Sequence, residues 1–197
     1  MDQEIKINKL SESVLDSTGI LDLKIPDNIL EIEDGALRNT QMYKIEIPQN
    51  VTKIGSYAFT GSIADKIIIQ GNISEIKEGT FNSCFYLSEV KLPDSITSIE
   101  RGDFGVCSEL SKIVLPEKLK KLGKSVFYSC DKLSEITIPS SLTKIDQGAF
   151  EMCDNLKIVY YTGSEKLWKK INIGDDNEAL LDTEIKLNFI SNLRLSA

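Results

Sequence analysis

The sequence contains no histidine, so it lacks the base that most serine and cysteine nucleophiles depend on. It has no glycine-rich phosphate loop, no metal-binding motif and no apolar run near the ~18 residues that a membrane span needs. Acidic residues outnumber basic ones by 30 to 23, which argues against the basic surface of a nucleic-acid-binding protein. We therefore expect no catalytic residue, no cofactor, no metal, no nucleic-acid partner and no membrane insertion.

Cysteine is scarce, and its placement is regular. The chain has 4 cysteines, and each follows the last by 23 residues. The same interval separates members of a phenylalanine series and of a proline series, and upstream it shortens to 22 residues. These series are Cys84, Cys107, Cys130 and Cys153; Phe59, Phe81, Phe104, Phe127 and Phe150; and Pro26, Pro48, Pro93, Pro116 and Pro139. A fixed period of this length predicts a repeat array, in which each unit stacks on the next.

The cysteine spacing predicts free thiols. Equivalent residues of stacked repeats form a single file of side chains that all point the same way. Such a file does not provide the converging Cβ vectors of a disulfide or the tetrahedral geometry of zinc. Thr40 and Ser62 occupy this position in earlier repeats, which indicates a small buried slot.

Six units of 22 or 23 residues cover 20–41, 42–63, 64–86, 87–109, 110–132 and 133–155, here called repeats 1 to 6. Each opens with the pattern L-x-x-I-x-I, whose alternation predicts a strand with one buried face. A second apolar pair, as in Ile96 and Ile99, predicts a short extended segment on the opposite flank. The expected fold is a β-rich, right-handed solenoid with a parallel sheet along one side.

The two ends depart from the repeat. Residues 1–19 look like a degenerate N-terminal coil, in which Ile5 and Ile7 can supply a strand. Residues 156–197 are expected to form a final strand and a C-terminal cap. The cap would contain a helix over 165–170 capped by Thr162 or Ser164, a turn at 174–177 and a closing strand over 185–189, with Trp168 packed on the last repeat. All of these parts are expected to form one domain.

The outward face of the predicted sheet changes character along its length. Over most of it the third and fifth pattern positions are charged, and Glu89, Lys112 and Glu135 predict ion pairs between adjacent strands. Near the C-terminal end these positions become apolar or aromatic. The residues proposed there for partner binding are Lys112, Val114, Thr137, Ile158 and Tyr160. This patch is either an interaction site or a surface covered by the tail at 190–197, and the sequence leaves both alternatives open.

The repeat unit resembles the BspA-like leucine-rich repeat. The pattern runs from Cys84 through Leu87, Val90, Leu92, Pro93, Ile96 and Ile99 to Phe104, and the segment from Tyr160 to Leu180 is similar to the C-terminal end of that family. The resemblance implies a leucine-rich-repeat solenoid from a bacterial cell-surface or secreted protein.

Some members of that family bind matrix proteins, host cells or other bacteria. The expected function is therefore a non-enzymatic binding or adhesion module for a protein or host-matrix macromolecule. We expect it to act as a monomer and to be a fragment of a longer protein whose signal peptide lies elsewhere. The alternative is a rigid spacer within a larger surface protein, without a ligand of its own.

Overall fold

A computed structural model describes residues 8–190 as a solenoid of about 8 turns, built mostly from short parallel strands with little helix. Each central repeat contributes one strand to a main wall and one two-residue strand to an opposite, narrow wall. The inward residues of both walls and of the turns between them form one continuous apolar core. The leucine-rich-repeat solenoid predicted from the period is confirmed.

The main wall consists of the longer strands. They are β3 (Lys44–Ile47), β5 (Lys66–Ile69), β7 (Glu89–Lys91), β9 (Lys112–Val114), β11 (Glu135–Ile138), β13 (Ile158–Tyr161) and β15 (Glu184–Lys186). All paired neighbours are parallel and in register with the repeat, as when Glu135 pairs with both Lys112 and Ile158. The wall forms two sheets, β3-β5-β7 and β9-β11-β13-β15.

The narrow wall follows the second apolar pair of each repeat. Its strands are β1 (Lys9–Leu10), β2 (Glu31–Ile32), β4 (Lys53–Ile54), β6 (Glu75–Ile76), β8 (Ser98–Ile99), β10 (Lys121–Leu122), β12 (Lys144–Ile145) and β14 (Asn172–Ile173). They form the sheets β1-β2-β4 and β6-β8-β10-β12-β14. The two walls are therefore divided at different places, the narrow wall after repeat 2 and the main wall after repeat 4.

The third side of the solenoid carries the phenylalanine and cysteine series. The five phenylalanine side chains are fully buried and stacked, with consecutive ring centroids 5.3–5.8 Å apart. Each cysteine is free and buried, and its thiol donates to the carbonyl of the phenylalanine in the preceding repeat over 3.0–3.4 Å. The prediction of four free buried thiols is confirmed.

The N-terminal end differs from the prediction. Repeat 1 was expected to open with a main-wall strand, but residues 22–26 form no strand. A strand here would lie at the outer end of the wall, where it would have a partner on only one side. The chain instead joins the stack through β1, which pairs with β2 on the narrow wall. The predicted strand at Ile5 and Ile7 falls outside the described residues.

The C-terminal end caps the stack. Helix α1 spans Glu165–Trp168 and begins at Ser164, whose side chain makes no capping hydrogen bond. Trp168 is half-buried and meets the ring of Tyr161 edge-on, with centroids 5.1 Å apart. Strand β14 adds to the narrow wall and β15 adds to the main wall, so the predicted closing strand is confirmed, although it spans Glu184–Lys186 and not 185–189. A second short helix, α2 (Glu178–Leu181), was not expected from the sequence.

Candidate functional site

The predicted partner-binding residues lie on three adjacent strands of the main wall. Register pairing aligns Lys112, Glu135 and Ile158 in one row and Val114, Thr137 and Tyr160 in the next. Together with Phe189 they surround a cavity of about 170 Å³, which we call the sheet-face cleft. Its lining residues are Lys112, Ile113, Val114, Glu135, Thr137, Tyr160 and Phe189. Four of the five predicted residues line the cleft, while Ile158 lies beside it and is half-buried.

An aromatic pair forms one side of the cleft. The rings of Tyr160 and Phe189 are 4.4 Å apart between centroids and tilted by 39°. Backbone hydrogen bonds hold the segment after β15 in place, since Asn188 N–H donates to Gly163 O and Phe189 N–H donates to Tyr161 O. The Lys186 ammonium lies 5.5 Å from the centroid of the Tyr160 ring, within the range of a cation–π contact. Phe189 was not predicted as a site residue, because it lies outside the repeat and no periodic signal marks it.

Burial corrects one part of the predicted surface. Thr137 was expected to face solvent, but only 7% of it is exposed. It lies between Val114 and Tyr160 on the neighbouring strands, and these larger side chains and Phe189 cover it. Val114, Ile158 and Tyr160 are half-buried, and Lys112 is exposed. The patch is thus recessed and partly covered by Phe189, while residues 191–197 of the predicted covering tail fall outside the described residues.

One ion pair lies at the rim of the cleft. Lys112 Nζ lies 3.0 Å from Glu135 Oε1. Glu89 was expected to pair with Lys112 as well, but its Oε1 lies 2.6 Å from Lys66 Nζ instead. The physical reason is that β7 pairs with β5 and belongs to a different sheet from β9.

The main-wall strand next to the cleft, β7, is less well buried than most of the others. Val90 and Leu92 of repeat 4 are only half-buried. The two residues at the same pattern positions are buried in the turns that contain β3, β5, β9, β11 and β13. Ile113, on the other side of the division, is a core residue that also lines the cleft. The cleft therefore reaches apolar core side chains as well as the outer face of the sheet.

A second depression lies on the opposite flank. Its volume is about 310 Å³, and its lining residues are Ser56, Glu75, Lys77, Glu78, Glu100 and Arg101. Within it, Glu78 accepts a hydrogen bond from the Tyr57 hydroxyl at 2.7 Å and lies 3.9 Å from Arg101 Nη1. Across residues 8–190 no group of three or more histidine, cysteine or acidic side chains is placed to hold a metal ion. In the same part of the chain no helix has the length and apolar character of a membrane span.

The buried thiols are not activated nucleophiles. Desolvation raises the pKa of Cys84 and of Cys153 to about 12, and it raises the pKa of Cys107 and Cys130 well above the ordinary value. Because the thiolate is the reactive form, a thiol with so high a pKa is inert at neutral pH.

Comparison with known families and solved structures identifies the family of this chain. The sequence family described as BspA type Leucine rich repeat region matches residues 8–102 and 75–171, with 6 copies. The fold is similar to a leucine-rich repeat protein from Bacteroides ovatus, with 28% identity and a TM-score of 0.62 over 85% of this chain and 48% of that protein. It is also similar to a leucine rich cell surface protein from Faecalibacterium prausnitzii, with 22% identity and a TM-score of 0.54 over 86% of this chain and 61% of that one.

A leucine-rich repeat protein from Eubacterium ventriosum is 18% identical, with a TM-score of 0.52 over 81% of this chain and 52% of that one. The chain thus spans between 48% and 61% of the length of these three solved proteins. No curated protein matches the sequence. The family match extends from β1 into the C-terminal cap, and the stacked walls and phenylalanine series are the structure that such repeats form. The chain therefore belongs to the BspA-type leucine-rich-repeat family.

Proposed function

We propose that this chain is a non-enzymatic binding module of a bacterial cell-surface or secreted protein, and that it contacts a protein partner through the sheet-face cleft. The observation that carries the proposal is an apolar and aromatic recess on a wall whose other outward positions are mainly charged. Recessed apolar groups with a polar rim are typical of the centre of a binding interface.

The size and lining of the cleft favour a protein partner. A cavity of about 170 Å³ accommodates one bulky apolar side chain. Val114, Tyr160 and Phe189 offer it apolar contact, and the Lys112–Glu135 ion pair offers polar contacts at the edge. Tyrosine is favoured at interfaces because its ring offers apolar contact and its hydroxyl offers a polar contact.

The proposed location rests on the family and on one structural relative. The Faecalibacterium prausnitzii protein is described as a cell surface protein, and the other solved relatives also come from bacteria. A repeat module displayed on a cell surface is well suited to contact macromolecules, because its stacked strands form an extended and continuous face.

The absence of a catalytic step in the proposal follows from the chemistry of the side chains. The thiols are buried and have raised pKa values, and the chain has no histidine. Many acidic side chains of the described repeats are held in ion pairs with lysine or arginine, such as Glu33 with Lys9 at 2.7 Å, and this hydrogen-bonded partner lowers the pKa of Glu33. Such pairs lower the proton affinity of a carboxylate and do not prepare it for general acid catalysis.

A rigid spacer is the second candidate, and the ion pairs favour it. Many of them join consecutive turns of the solenoid, and so they resist bending of the stack. The pairs of this kind are Lys9–Glu33, Arg38–Asp16, Lys53–Glu31, Lys66–Glu89, Arg101–Glu78, Lys112–Glu135, Lys121–Glu100, Lys121–Asp146 and Lys132–Glu109. A spacer, however, gives no reason for an apolar recess at one end of the main wall.

The binding proposal is tested by substituting Val114 at the floor of the cleft. The wild-type chain and Val114→Asp are passed over immobilised extracellular-matrix proteins and whole epithelial cells, and binding is measured by surface plasmon resonance and flow cytometry. We expect Val114→Asp to weaken binding at least tenfold, because an aspartate would be desolvated when the apolar partner group enters the cleft.

Lys144→Ala on the narrow wall is the matched control, since it removes an exposed side chain that lies away from the cleft. It should bind as the wild type does, and both variants should retain the melting temperature of the wild type within a few degrees. Binding that survives Val114→Asp would contradict the use of this cleft. A complete absence of binding to every surface would favour the spacer.

A further inference from the structure

Repeat 4 contains a buried carboxyl group at a position that other repeats fill with small or apolar residues. The residue before the phenylalanine is Ala36, Ala58, Thr80, Asp103, Val126 and Ala149 in repeats 1 to 6. Asp103 has no exposed surface. Its Oδ1 accepts a hydrogen bond from Thr80 N–H at 3.0 Å, while its Oδ2 is buried and has no hydrogen-bond partner. An ionised Asp103 would be desolvated, and the hydrogen bond to Oδ1 would offset only part of that cost.

The charged groups around Asp103 do not favour its ionisation. Desolvation raises the pKa of Asp103 well above its ordinary value, the backbone N–H groups of Thr80 and Glu100 oppose this in part, and repulsion from the Glu100 and Glu78 carboxylates adds to it. Arg101 is the adjacent cation, but its side chain is 67% exposed and pairs with Glu78. The remaining titratable neighbours, Tyr57 and Cys107, carry no positive charge. Within residues 8–190, no ion pair reaches Asp103, so the neutral acid is the form that suits the folded repeat.

The main-wall strand of repeat 4 is also loosely packed. Strand β7 lies next to β9 but forms no hydrogen-bonded ladder with it, and Val90 and Leu92 remain half-buried. Val106 has a φ of 61°, a left-handed conformation that is costly for a β-branched residue. In a solenoid each repeat is stabilised mainly by its two neighbours, so these defects weaken the array locally.

We propose that repeat 4 opens reversibly as a unit, and that ionisation of Asp103 drives this opening, so that the middle of the solenoid is looser at neutral than at acid pH. The inference does not depend on the proposed binding function. When the repeat opens, Asp103 meets water and titrates near its ordinary value of about 3.9.

The direction of the effect follows from proton linkage. The folded repeat holds the proton more tightly than the opened repeat does. The stability that this provides is fully present below the ordinary pKa, and it is lost as pH rises toward the folded pKa. Over that range the opening constant rises by up to about tenfold per pH unit, since one proton is released.

Four carboxylates outside repeat 4 have the opposite effect on the pH dependence of stability. Hydrogen-bonded lysine or arginine partners lower the pKa of Asp16, Glu33, Glu46 and Glu165. These groups stabilise their own parts of the fold above their ordinary pKa and lose that contribution as pH falls. None of them belongs to repeat 4, so a measurement that is resolved by segment separates the two effects.

Native-state hydrogen exchange with mass spectrometry tests the proposal. The full chain is exchanged between pH 4.5 and 8, and the rates are corrected for the intrinsic dependence on pH. Peptides within residues 87–114 of the wild type should show an opening constant that rises at least tenfold across this range. The same peptides should show no rise in Asp103→Asn or in Asp103→Ala. The second variant introduces the alanine that repeats 1, 2 and 6 have at this position.

Asp154→Asn is the matched control, because it removes an exposed carboxylate from the end of repeat 6. It should leave the wild-type pattern unchanged. The proposal is overturned if both Asp103 variants keep the pH dependence of the wild type, if the wild-type opening constant does not rise with pH, or if it rises equally in all repeats.

Discussion

At the residue scale, two positions in the turn of each repeat require a left-handed backbone. One is occupied by Ser13, Gly35, Tyr57, Gly79, Gly102, Ser125 and Gly148, and the other by Ser17, Asn39, Gly61, Ser83, Val106, Ser129 and Met152, all with φ between 53° and 70°. The backbone N–H of most of these residues donates to a carbonyl of the next turn, for example Val106 to Tyr128 at 2.7 Å. The conformation is therefore a part of the stacking, and a repeat cannot avoid it.

Val106 carries the largest conformational cost among these residues, because it is β-branched. A left-handed conformation costs an ordinary residue about 1–2 kcal/mol, while asparagine and glycine adopt it readily. Asn39 occupies the equivalent position in repeat 1 with a φ of 54°. We expect Val106→Asn to raise the free energy of unfolding by about 1 kcal/mol in urea denaturation.

Val106→Ala is the control for this change, since it removes the same methyl groups without adding the side-chain amide that helps asparagine to adopt the left-handed region. It should not stabilise the protein. Equal stabilities of the asparagine and alanine variants would show that backbone strain at residue 106 is negligible.

At the scale of single elements, one side chain of the C-terminal cap provides the hydrogen bonds that the last repeat lacks on the side of the solenoid that carries the phenylalanine series. In repeats 1 to 5 the N–H of the residue at the phenylalanine position, such as Phe127, donates to a backbone carbonyl of the next turn. Repeat 6 has no such neighbour, and Phe150 N–H donates to Asn177 Oδ1 at 3.0 Å. Asn177 Nδ2 in turn reaches the carbonyls of Asp146, Gly174 and Asp175 at 2.9–3.1 Å. The amide thus replaces the peptide group of a missing repeat.

Removing this side chain should destabilise the cap. Asn177→Ala leaves the buried N–H of Phe150 and several carbonyls without partners, and each such group costs about 1–3 kcal/mol. We expect a loss of about 3 kcal/mol in the free energy of unfolding, measured by urea denaturation.

Asn155→Ala provides the comparison, because Asn155 is exposed and makes one hydrogen bond to Asp131 O at 2.7 Å. That variant should lose less than about 1 kcal/mol. If Asn177→Ala cost no more than Asn155→Ala, the side-chain cap would contribute nothing specific.

At the scale of the whole molecule, each turn of the solenoid is stabilised by burial against the next, so the ends decide whether the stack is closed. At the C-terminal end β14, β15, Trp168 and Asn177 cover the last repeat. Exposed apolar side chains lie near both ends of the described residues, since Val14, Leu21 and Leu30 are 42–51% exposed and Leu167, Leu181 and Ile190 are 43–81% exposed.

Deleting residues 162–197 should convert the closed end into an open one. The deletion removes the partners of β12 and β13 and exposes Tyr161 and the last ring of the phenylalanine stack. An unpaired strand edge beside apolar surface promotes association. We expect the truncated chain to self-associate in size-exclusion chromatography with light scattering, whereas the full chain should not. A truncated chain that stays folded and monomeric would show that these residues are not needed as a cap.

The sequence by itself was sufficient to predict the repeat, its two extended segments and its core. A constant period places Phe81, Phe104 and Cys107 at the same point of successive turns, and stacked turns can bury an apolar face only if like positions meet. Four of the predicted features followed from that one constraint: the solenoid, the free thiols, the narrow-wall segments and the outward rows of the sheet. The location of the candidate cleft on β9, β11 and β13 also followed, because it depends on position within the repeat.

Only the tertiary structure determined the features that depend on residues outside the period. Phe189 meets Tyr160 across a non-repeating segment, and this contact makes the cleft a recess and buries Thr137. Asn177 replaces a backbone group that no repeat supplies, and the main wall divides between β7 and β9 although both strands follow the same pattern. The physical reason is that periodicity specifies which residues of neighbouring turns are equivalent, whereas caps, divisions of a sheet and covered surfaces arise from single contacts between residues that have no equivalents.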